Sequence, residues 1–505
     1  MALTPDTVVA VIGAGTMGNG IAHVAARAGH PVILVDAQPA ALAKALAVIE
    51  KDLAFLVSKG RLAEPDAAAA RSRIRTAGST AELAGAGLVI EAIVEDRDVK
   101  RALFRDLEAV VAPAAILASN TSSISITDIA AGLKHPERVV GMHFFNPVPR
   151  MALVEVIDGL LTDPAVAETL MTTSRAWGKT PVRAKSTPGF IVNRIARPYY
   201  GEAMRTLTEQ AAPPALLDAL MRDCGGFPMG PCELMDLIGL DVNLAVTTSA
   251  FHALGYDRRY APSLIQQELV RAGRHGRKTG AGFFAYGDGA TPPAVPAEPP
   301  CAAPAVVTAP SDAGPLEPLL ARLVAGGVAV ERVSLADAAI HVGSARLALT
   351  DGRTATRRAA EEGTPHFVTL DLALDYAKTP RLAIARADTC GDAEFAGVVG
   401  ALQATGCVVS RVDDIAGMVL MRIVAMLANE AADVVTQGIA SAADADTAMR
   451  LGTNWPLGPL AWADRLTARR VAEVLDHVRA HTGEERYRVS PALQRRRWSG
   501  GTFHG

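Results

Sequence analysis

What the chain has little of narrows its chemistry first. Cysteine is scarce: five residues (Cys224, Cys232, Cys301, Cys390, Cys407) in 505, odd in number and without a C-x-x-C spacing. That pattern excludes a disulfide framework and a cysteine-based zinc site, and it fits a reducing compartment. A surplus of one charge is also missing, with 50 Lys plus Arg against 53 Asp plus Glu and a formal net charge of −3. A dedicated nucleic-acid binder would carry a strong basic excess. No apolar run approaches the roughly 18 residues that span a bilayer. No basic segment precedes the first apolar run in MALTPDTVVAVIGAG, so no secretory signal is expected. The expectation is a cytoplasmic protein that engages neither membrane nor nucleic acid. Half the residues are hydrophobic, enough for large cores, and at about 150 residues per domain the length suggests about three domains.

Short apolar runs alternate with longer helical stretches through the first third of the chain. The runs are Thr7–Ile12, Pro31–Asp36, Gly87–Ala92, Ala114–Ser119, Arg138–Phe145 and Ala152–Ile157. Several are apolar throughout rather than alternating, as in strands covered on both faces of a parallel sheet. Stretches such as Ala40–Leu56 and Asp98–Val111 show helical spacing between them. The fold class expected is therefore α/β, with a doubly wound domain over residues 1–186. Over 187–286 the strand signal fades, and Gly189–Glu209 and Pro213–Asp223 predict an all-α domain. Residues 287–315 hold eight prolines between Pro292 and Pro315 and read as an interdomain linker. Residues 316–412 read as a degenerate α/β region, with strand candidates Arg346–Thr350, His366–Leu372 and Arg381–Arg386.

An internal repeat completes the organisation. Pro188–Met204 echoes Ile415–Ala431, pairing Gly189 and Arg194 with Gly417 and Arg422 at an offset of 228 residues. GGFPMGP (Gly225–Pro231) echoes TNWPLGP (Thr453–Pro459) at the same offset. Residues 413–505 are thus expected to be a second helical domain, a copy of 187–286.

Gly13-Ala-Gly15-Thr16-Met17-Gly18 is a G-x-G-x-x-G directly after an apolar run and before a helical pattern. Alone it is a weak signal, because glycine-rich turns are common. Its context is specific: Asp36 ends the next strand 18 residues past Gly18. Glycines let backbone amides approach a pyrophosphate, the helix N-terminus adds partial positive charge, and a carboxylate at Asp36 accepts the ribose hydroxyls while repelling a 2′-phosphate. No arginine follows in Ala37-Gln38-Pro39. The expected cofactor is NAD, in a Rossmann-type domain. Ligands of such sheets sit at the carboxyl ends of the strands, and Gly13–Gly18, Asp36, Glu95, Ser119–Ser122 and His143–Asn146 all fall just past strand ends.

The segment HFFNPVPRMALVEV places His143 at the end of one strand and Glu155 on the next. An imidazole, with an ordinary pKa near 6.5, can serve as a base at neutral pH, and a carboxylate on its other nitrogen fixes the tautomer and stabilises the imidazolium. An isolated strand histidine is more often a hydrogen-bonded core residue. This one shares an edge with the dinucleotide turn.

GAGTMG, EAIVED, SNTSS, HFFNPVP, LVEV, TPGFIVNR and FPMGPCELMD together resemble the 3-hydroxyacyl-CoA dehydrogenase family over about residues 5–285. The repeat and LTDGRTAT (Leu349–Thr356) extend the resemblance to the whole chain, which looks like the long bacterial members that oxidise 3-hydroxyadipyl-CoA in phenylacetate breakdown. The resemblance implies NAD-dependent oxidation of an (S)-3-hydroxyacyl-CoA. A 3-hydroxybutyryl-CoA or broad-range enzyme is the alternative within the class, and a catalytically silent NAD-binding assembly subunit the alternative outside it. It also implies roles. His143 takes the hydroxyl proton, Glu155 orients it, and Ser122 and Asn193 bind the reacting oxygen and thioester region. Asn146 positions the nicotinamide end. Gly13, Gly15, Thr16, Met17, Gly18, Asp36, Glu95, Lys100, Ser122 and Lys278 hold the cofactor, and Lys59 meets the CoA phosphates. A homo-oligomer, dimer or trimer, is implied as well. Lys59 and Lys100 could instead be solvated helix lysines and Ser122 a helix cap.

The second copy departs from this pattern. Met421 stands where Asn193 stands and Ala461 where Glu233 stands, and no G-x-G-x-x-G follows the linker. The C-terminal half is expected to bind no second NAD. Ala152 stands where many relatives carry lysine. A distal substrate carboxylate would want a cation, for which Arg150 and Arg197 are candidates. His477 and His481, four apart, read as a solvated helix face rather than a metal site, and Arg495–Arg497 as a surface segment. No metal is expected.

Overall fold

The computed structural model describes residues 1–335 and 338–505. The chain divides into two compact units, residues 1–194 with 434–453 and residues 195–433 with 454–505.

The first unit is built on an eight-stranded sheet of order β3-β2-β1-β4-β5-β6-β7-β8. Its strands are β1 (Val9–Ile12), β2 (Val32–Val35), β3 (Ile74–Ala77), β4 (Leu88–Glu91), β5 (Ile116–Ser119), β6 (Val139–Phe144), β7 (Leu153–Asp158) and β8 (Thr180–Lys185). All neighbours run parallel except β6 and β7, which pair antiparallel. The expected doubly wound sheet is present. The runs VAVI and VILV are buried at every position because helices cover both faces. Val9, Val11, Ile21, Leu34, Leu42 and Ile90 belong to one continuous core.

The stretch Gly189–Glu209, expected as one helix, is two: Val192–Ile195 and Arg197–Thr208. Pro198 is the reason, since it has no N–H to donate one turn back. Among the described residues no single helix is long and apolar enough to cross a membrane.

The second unit carries a seven-stranded mixed sheet of order β10-β9-β11-β12-β13-β14-β15. Its strands are β9 (Val306–Pro310), β10 (Ala329–Val333), β11 (Ile340–Val342), β12 (Ala345–Leu349), β13 (Phe367–Leu370), β14 (Arg381–Arg386) and β15 (Val408–Arg411). β9 lies inside the proline-rich stretch read as a linker; the run Ala305-Val306-Val307 is its apolar signal. The prolines before it are tied down too. Ser410 Oγ donates to the Pro296 carbonyl at 2.7 Å and Glu298 N to that of Val409 at 2.8 Å.

The 228-residue repeat is written into the backbone. Left-handed φ angles occur in pairs at that offset: Gly189 and Gly417, Phe190 and Met418, Gln210 and Gly438, Gly226 and Asn454, Gly239 and Thr467. It also reaches upstream into the sheets. β7 pairs with β8 as Leu153↔Thr180, and β14 with β15 as Arg381↔Val408, both partners shifted by 228.

Candidate active site

The glycine turn is shaped for an anion. Gly13 adopts φ +100°, and a Cβ there would lie 2.5 Å from the Ala92 carbonyl oxygen. At Gly18 a Cβ would meet the Gly13 carbonyl oxygen at 1.7 Å, so only glycine lets helix Thr16–Arg27 start this close to β1. Gly15, by contrast, has nothing within 4 Å of a notional Cβ, and no side chain caps the helix. Its first amides therefore face open space, ready for a diphosphate. Asp36 is held beside them, its carboxylate accepting from Ala14 N at 2.8 Å and Gln38 N at 2.9 Å. A cavity of about 390 Å³ lies along this turn, lined among others by Thr16, Lys44, Asp52 and Asn146. These residues fit a dinucleotide.

One edge further on, His143 and Glu155 are register partners across β6 and β7. His143 Nδ1 lies 2.6 Å from Glu155 Oε2. The other carboxylate oxygen accepts from Ile191 N at 3.1 Å and Val192 N at 2.9 Å, the first amides of helix Val192–Ile195. Glu155 is wholly buried and His143 is 6 % exposed. Three donors on one buried carboxylate satisfy its charge and fix the ring. With Nδ1 committed to Glu155, Nε2 is the nitrogen left to act as a base.

His143 opens on a second cavity of about 360 Å³, lined by Met17, Glu95, Lys100, Asn120, Ser122, Asn146 and Asn193 among others. The structure thus gathers seven of the site candidates around one space. Asn193 Nδ2 sits 3.4 Å from the Ser122 carbonyl. Glu95 clamps the Ser122 turn: its Oε1 accepts from Thr121 Oγ1 at 2.6 Å, Ser122 N at 2.9 Å and Ser123 Oγ at 3.1 Å. Burial pushes the Glu95 carboxyl up, but the Thr121 hydroxyl, the Lys100 charge and the Ser122 amide outweigh it and hold it below the ordinary range. Lys100 is not a solvated lysine. It is 1 % exposed, with Nζ 2.5 Å from Glu91 and 3.2 Å from Glu95.

Residues that sequence reasoning missed stand behind these. Glu91 is fully buried and accepts from Lys100 Nζ, Ser119 Oγ at 2.6 Å and Ile93 N at 2.7 Å. The signal was a glutamate closing the otherwise apolar run GLVIEA. Lys179 donates to the Val148 and Met151 carbonyls at 2.5 and 2.8 Å, tying down the loop after His143. Burial, then the Arg27 charge, pushes its ammonium down to about 8.

Other candidates lie elsewhere. Lys59 is exposed at the end of helix Pro39–Ser58, over the Phe55 ring. Lys278 belongs to the second unit and is ion-paired with Asp241 at 2.6 Å. Arg150 is exposed. Arg197 is buried in the second unit and donates to Thr247 Oγ1 at 3.1 Å. His477 is half-buried, its Nδ1 2.7 Å from the Asp351 carbonyl, and His481 is exposed on the same helix. Arg497 pairs with Asp476 and Arg496 stacks on Phe503. No group of metal-ligating side chains occurs among the described residues.

The second unit repeats the scaffold without the dyad. At the 228-residue offset His143 becomes Asp371 and Glu155 becomes Ala383. The two still face each other, with Asp371 N donating to the Ala383 carbonyl at 2.9 Å. Asp371 instead caps helix Leu420–Thr436, accepting from Val419 N at 3.1 Å, Leu420 N at 2.7 Å and Met421 N at 3.0 Å. Burial pushes its carboxyl up to about 6, the backbone donors opposing. The turn after β12 is also closed: a Cβ at Gly352 would lie 2.5 Å from the Val474 carbonyl oxygen.

Comparison with known proteins bears on this geometry. Residues 8–187 match the model of the 3-hydroxyacyl-CoA dehydrogenase NAD binding domain, and 189–286 and 417–500 both match the C-terminal domain of the same family. Residues 347–415 match a 3-hydroxybutyryl-CoA dehydrogenase reduced Rossmann-fold domain. A 3-hydroxyadipyl-CoA dehydrogenase of Escherichia coli is 44% identical over 97% of both chains. A 3-hydroxybutyryl-CoA dehydrogenase of Clostridioides difficile is 42% identical over 55% of this chain and 99% of its own. The crystal structure of a 3-hydroxybutyryl-CoA dehydrogenase from E. coli superposes with TM-score 0.90 at 43% identity, covering 99% of this chain and 100% of that one.

Proposed function

The chain belongs to the 3-hydroxyacyl-CoA dehydrogenase family and is an NAD-dependent oxidoreductase, and on that premise we propose 3-hydroxyadipyl-CoA as its substrate and assign the roles within its site. His143 Nε2 accepts the proton of the (S)-3-hydroxyl as C3 becomes a ketone. The imidazolium so formed is stabilised by Glu155, whose charge is itself steadied by the Ile191 and Val192 amides. Ser122 and Asn193, across the same cavity, hold the reacting oxygen and the thioester carbonyl. When bound, NAD would supply the two-electron sink for the hydride at C3. The glycine turn and Asp36 seat it, and Asn146, which lines both cavities, orients its nicotinamide end. Glu95 and Lys100, which line the His143 cavity, are assigned to the cofactor. Lys59 is assigned to the CoA phosphates and Lys278 to the cofactor on family resemblance.

The observation that carries this reading is the buried His143–Glu155 pair on the rim of a cavity that Met17 of the glycine turn also lines. The adipyl choice rests on the full-length match to the E. coli relative named for that substrate. Butyryl is the competing acyl group, named for the Clostridioides relative and for the E. coli crystal structure. Leu237, Ile238, Val242 and Leu264, exposed on the mutually packed helices Pro231–Ile238, Leu240–Ala253 and Leu264–Arg271, support the homo-oligomer expectation.

NADH formation from 3-hydroxyadipyl-CoA and 3-hydroxybutyryl-CoA tests the assignment. A higher kcat/KM for the adipyl thioester is expected; a butyryl preference overturns the substrate, and no NADH from either restores the silent-subunit reading. An unchanged adipyl-to-butyryl ratio in Arg150→Ala removes that arginine as the carboxylate contact.

A further inference from the structure

The second helical repeat does not stay with the second sheet. Its segment 434–453 belongs to the first unit. There Lys185 N, at the end of β8, donates to the Ile439 carbonyl at 2.9 Å. Arg194 Nη1 donates to Gln437 Oε1, also at 2.9 Å. Helix Ala442–Thr453 lies so close to β7 that a Cβ at Gly452 would meet Leu153 Cδ2 at 2.9 Å and Val192 Cγ2 at 3.1 Å.

The second unit holds the same contacts with the copies exchanged. Asp413 N donates to the Ala211 carbonyl at 2.9 Å, and Arg422 holds Glu209 through two hydrogen bonds of 2.8 and 2.9 Å. Cys224 Sγ lies 3.2 Å from the Arg381 carbonyl, and one residue on, a Cβ at Gly225 would meet Leu420 Cδ1 at 2.9 Å. Lys185, Arg194 and Leu153 are matched by Asp413, Arg422 and Arg381. Ile439, Gln437 and Gly452 are matched by Ala211, Glu209 and Cys224. Every pair differs by 228. Residue i touching j while j's counterpart touches i's counterpart is the signature of a self-complementary contact, the kind two identical chains make.

The catalytic version of this contact grips the turn on which the dyad depends. Ile191 and Val192 donate to Glu155, Asn193 lines the cavity, and Arg194 is the residue tied to Gln437. We propose that the C-terminal copy completes the active site of the N-terminal copy, with Gln437 and Gly452 as positioning residues that hold the Ile191–Arg194 turn against Glu155. The inference rests on the roles assigned above to Glu155 and Asn193. The degenerate half then does what a partner subunit would do, supplying a strut that reaches the chemistry through one turn of backbone. The mirror contact through Glu209 and Arg422 supports a site without histidine and has no such task.

The full-length chain tests this with a mirrored pair of variants. Gln437→Ala and Gly452→Val are expected to lower kcat about five- to tenfold by loosening the turn. The Kd for NAD, read by fluorescence titration, should not move, because the glycine turn is untouched. Gln437→Glu keeps an acceptor for Arg194, as Glu209 does for Arg422, and should retain wild-type kcat. Glu209→Gln should leave kcat unchanged. Gln437→Ala with kcat within twofold of wild type, or Glu209→Gln costing as much, overturns the proposal. Should Gly452→Val not fold, Gln437→Ala and its rescue by Gln437→Glu decide alone. His143→Gln, assayed alongside, separates the two failures: undiminished turnover there removes the dyad itself and this inference with it.

Discussion

Two helix starts in this chain make the same demand and receive different answers. In each repeat a Gly–x pair of left-handed residues (Gly189-Phe190, Gly417-Met418) turns the chain so that the next amides point into the sheet edge. Buried amides need an acceptor, and partial positive charge prefers an anionic one. In the first unit Glu155 answers from β7 and still has an oxygen for His143. In the second, Ala383 has nothing to offer, and Asp371, standing in the histidine's place, turns its own carboxylate onto three amides. The comparison teaches that the capping carboxylate is structural in origin. Catalysis arises when the acid sits one strand over and an imidazole occupies the space between it and the cavity.

The sharpest break of this comparison comes from removing the base on one side and its counterpart on the other. His143→Gln should lower kcat by about 10³-fold, within the usual range for a lost general base. Asp371→Asn should leave kcat unchanged and cost about 2 kcal/mol in thermal melts, as buried donors lose an ionic acceptor. A catalytic loss in Asp371→Asn would mean the second site works. Next in size, Glu155→Gln should lower kcat by about 10²-fold, because the imidazolium formed in the reaction loses its negative partner. Its counterpart Ala383→Glu should leave the rate unaltered.

Two buried groups, one in each unit, should also respond to acid in opposite senses. His23 is 2 % exposed, neither ring nitrogen has a partner among the described residues, and burial followed by the Arg27 charge pushes its pKa down to about 4. A depressed basic pKa means the unfolded chain binds more protons, so this stability is present above about pH 6.5 and is lost as pH falls toward 4. Asp371 has a raised pKa, so its contribution is present below about pH 4 and is lost as pH rises through 6. Each amounts to about 3 kcal/mol at most. His23→Leu should flatten the acid limb of the stability curve measured by denaturant titration at pH 4 to 7, and Asp371→Asn should flatten the opposing one. The smallest effect is a count. Calorimetric titration should give one NAD per chain, and a stoichiometry of two would restore a cofactor site to the second half.

Local spacing made much of this legible in advance. The glycine turn, Asp36 and the short interval from His143 to Glu155 are near-neighbour patterns, and strands are short enough that such patterns survive as register. Glu91 and Lys179 were not legible. Their value lies in being buried opposite partners from other elements, which an apolar run with one polar residue announces only faintly. The hydrogen bond of His477 was hidden for the same reason, because the Asp351 carbonyl beside it is 126 residues away in sequence.

The order of residues determined that there are two copies of one module, that the first carries glycines where a cofactor's phosphates need bare backbone, and that only the first keeps a histidine facing an acid. These are consequences of side-chain identity and short-range geometry. Which sheet receives which helix was decided in three dimensions. Segment 434–453 packs beside β7 and β8, and Cys224 beside β14, because an edge must bury its apolar face against whatever surface complements it, and sequence separation carries almost no free-energy weight in that choice.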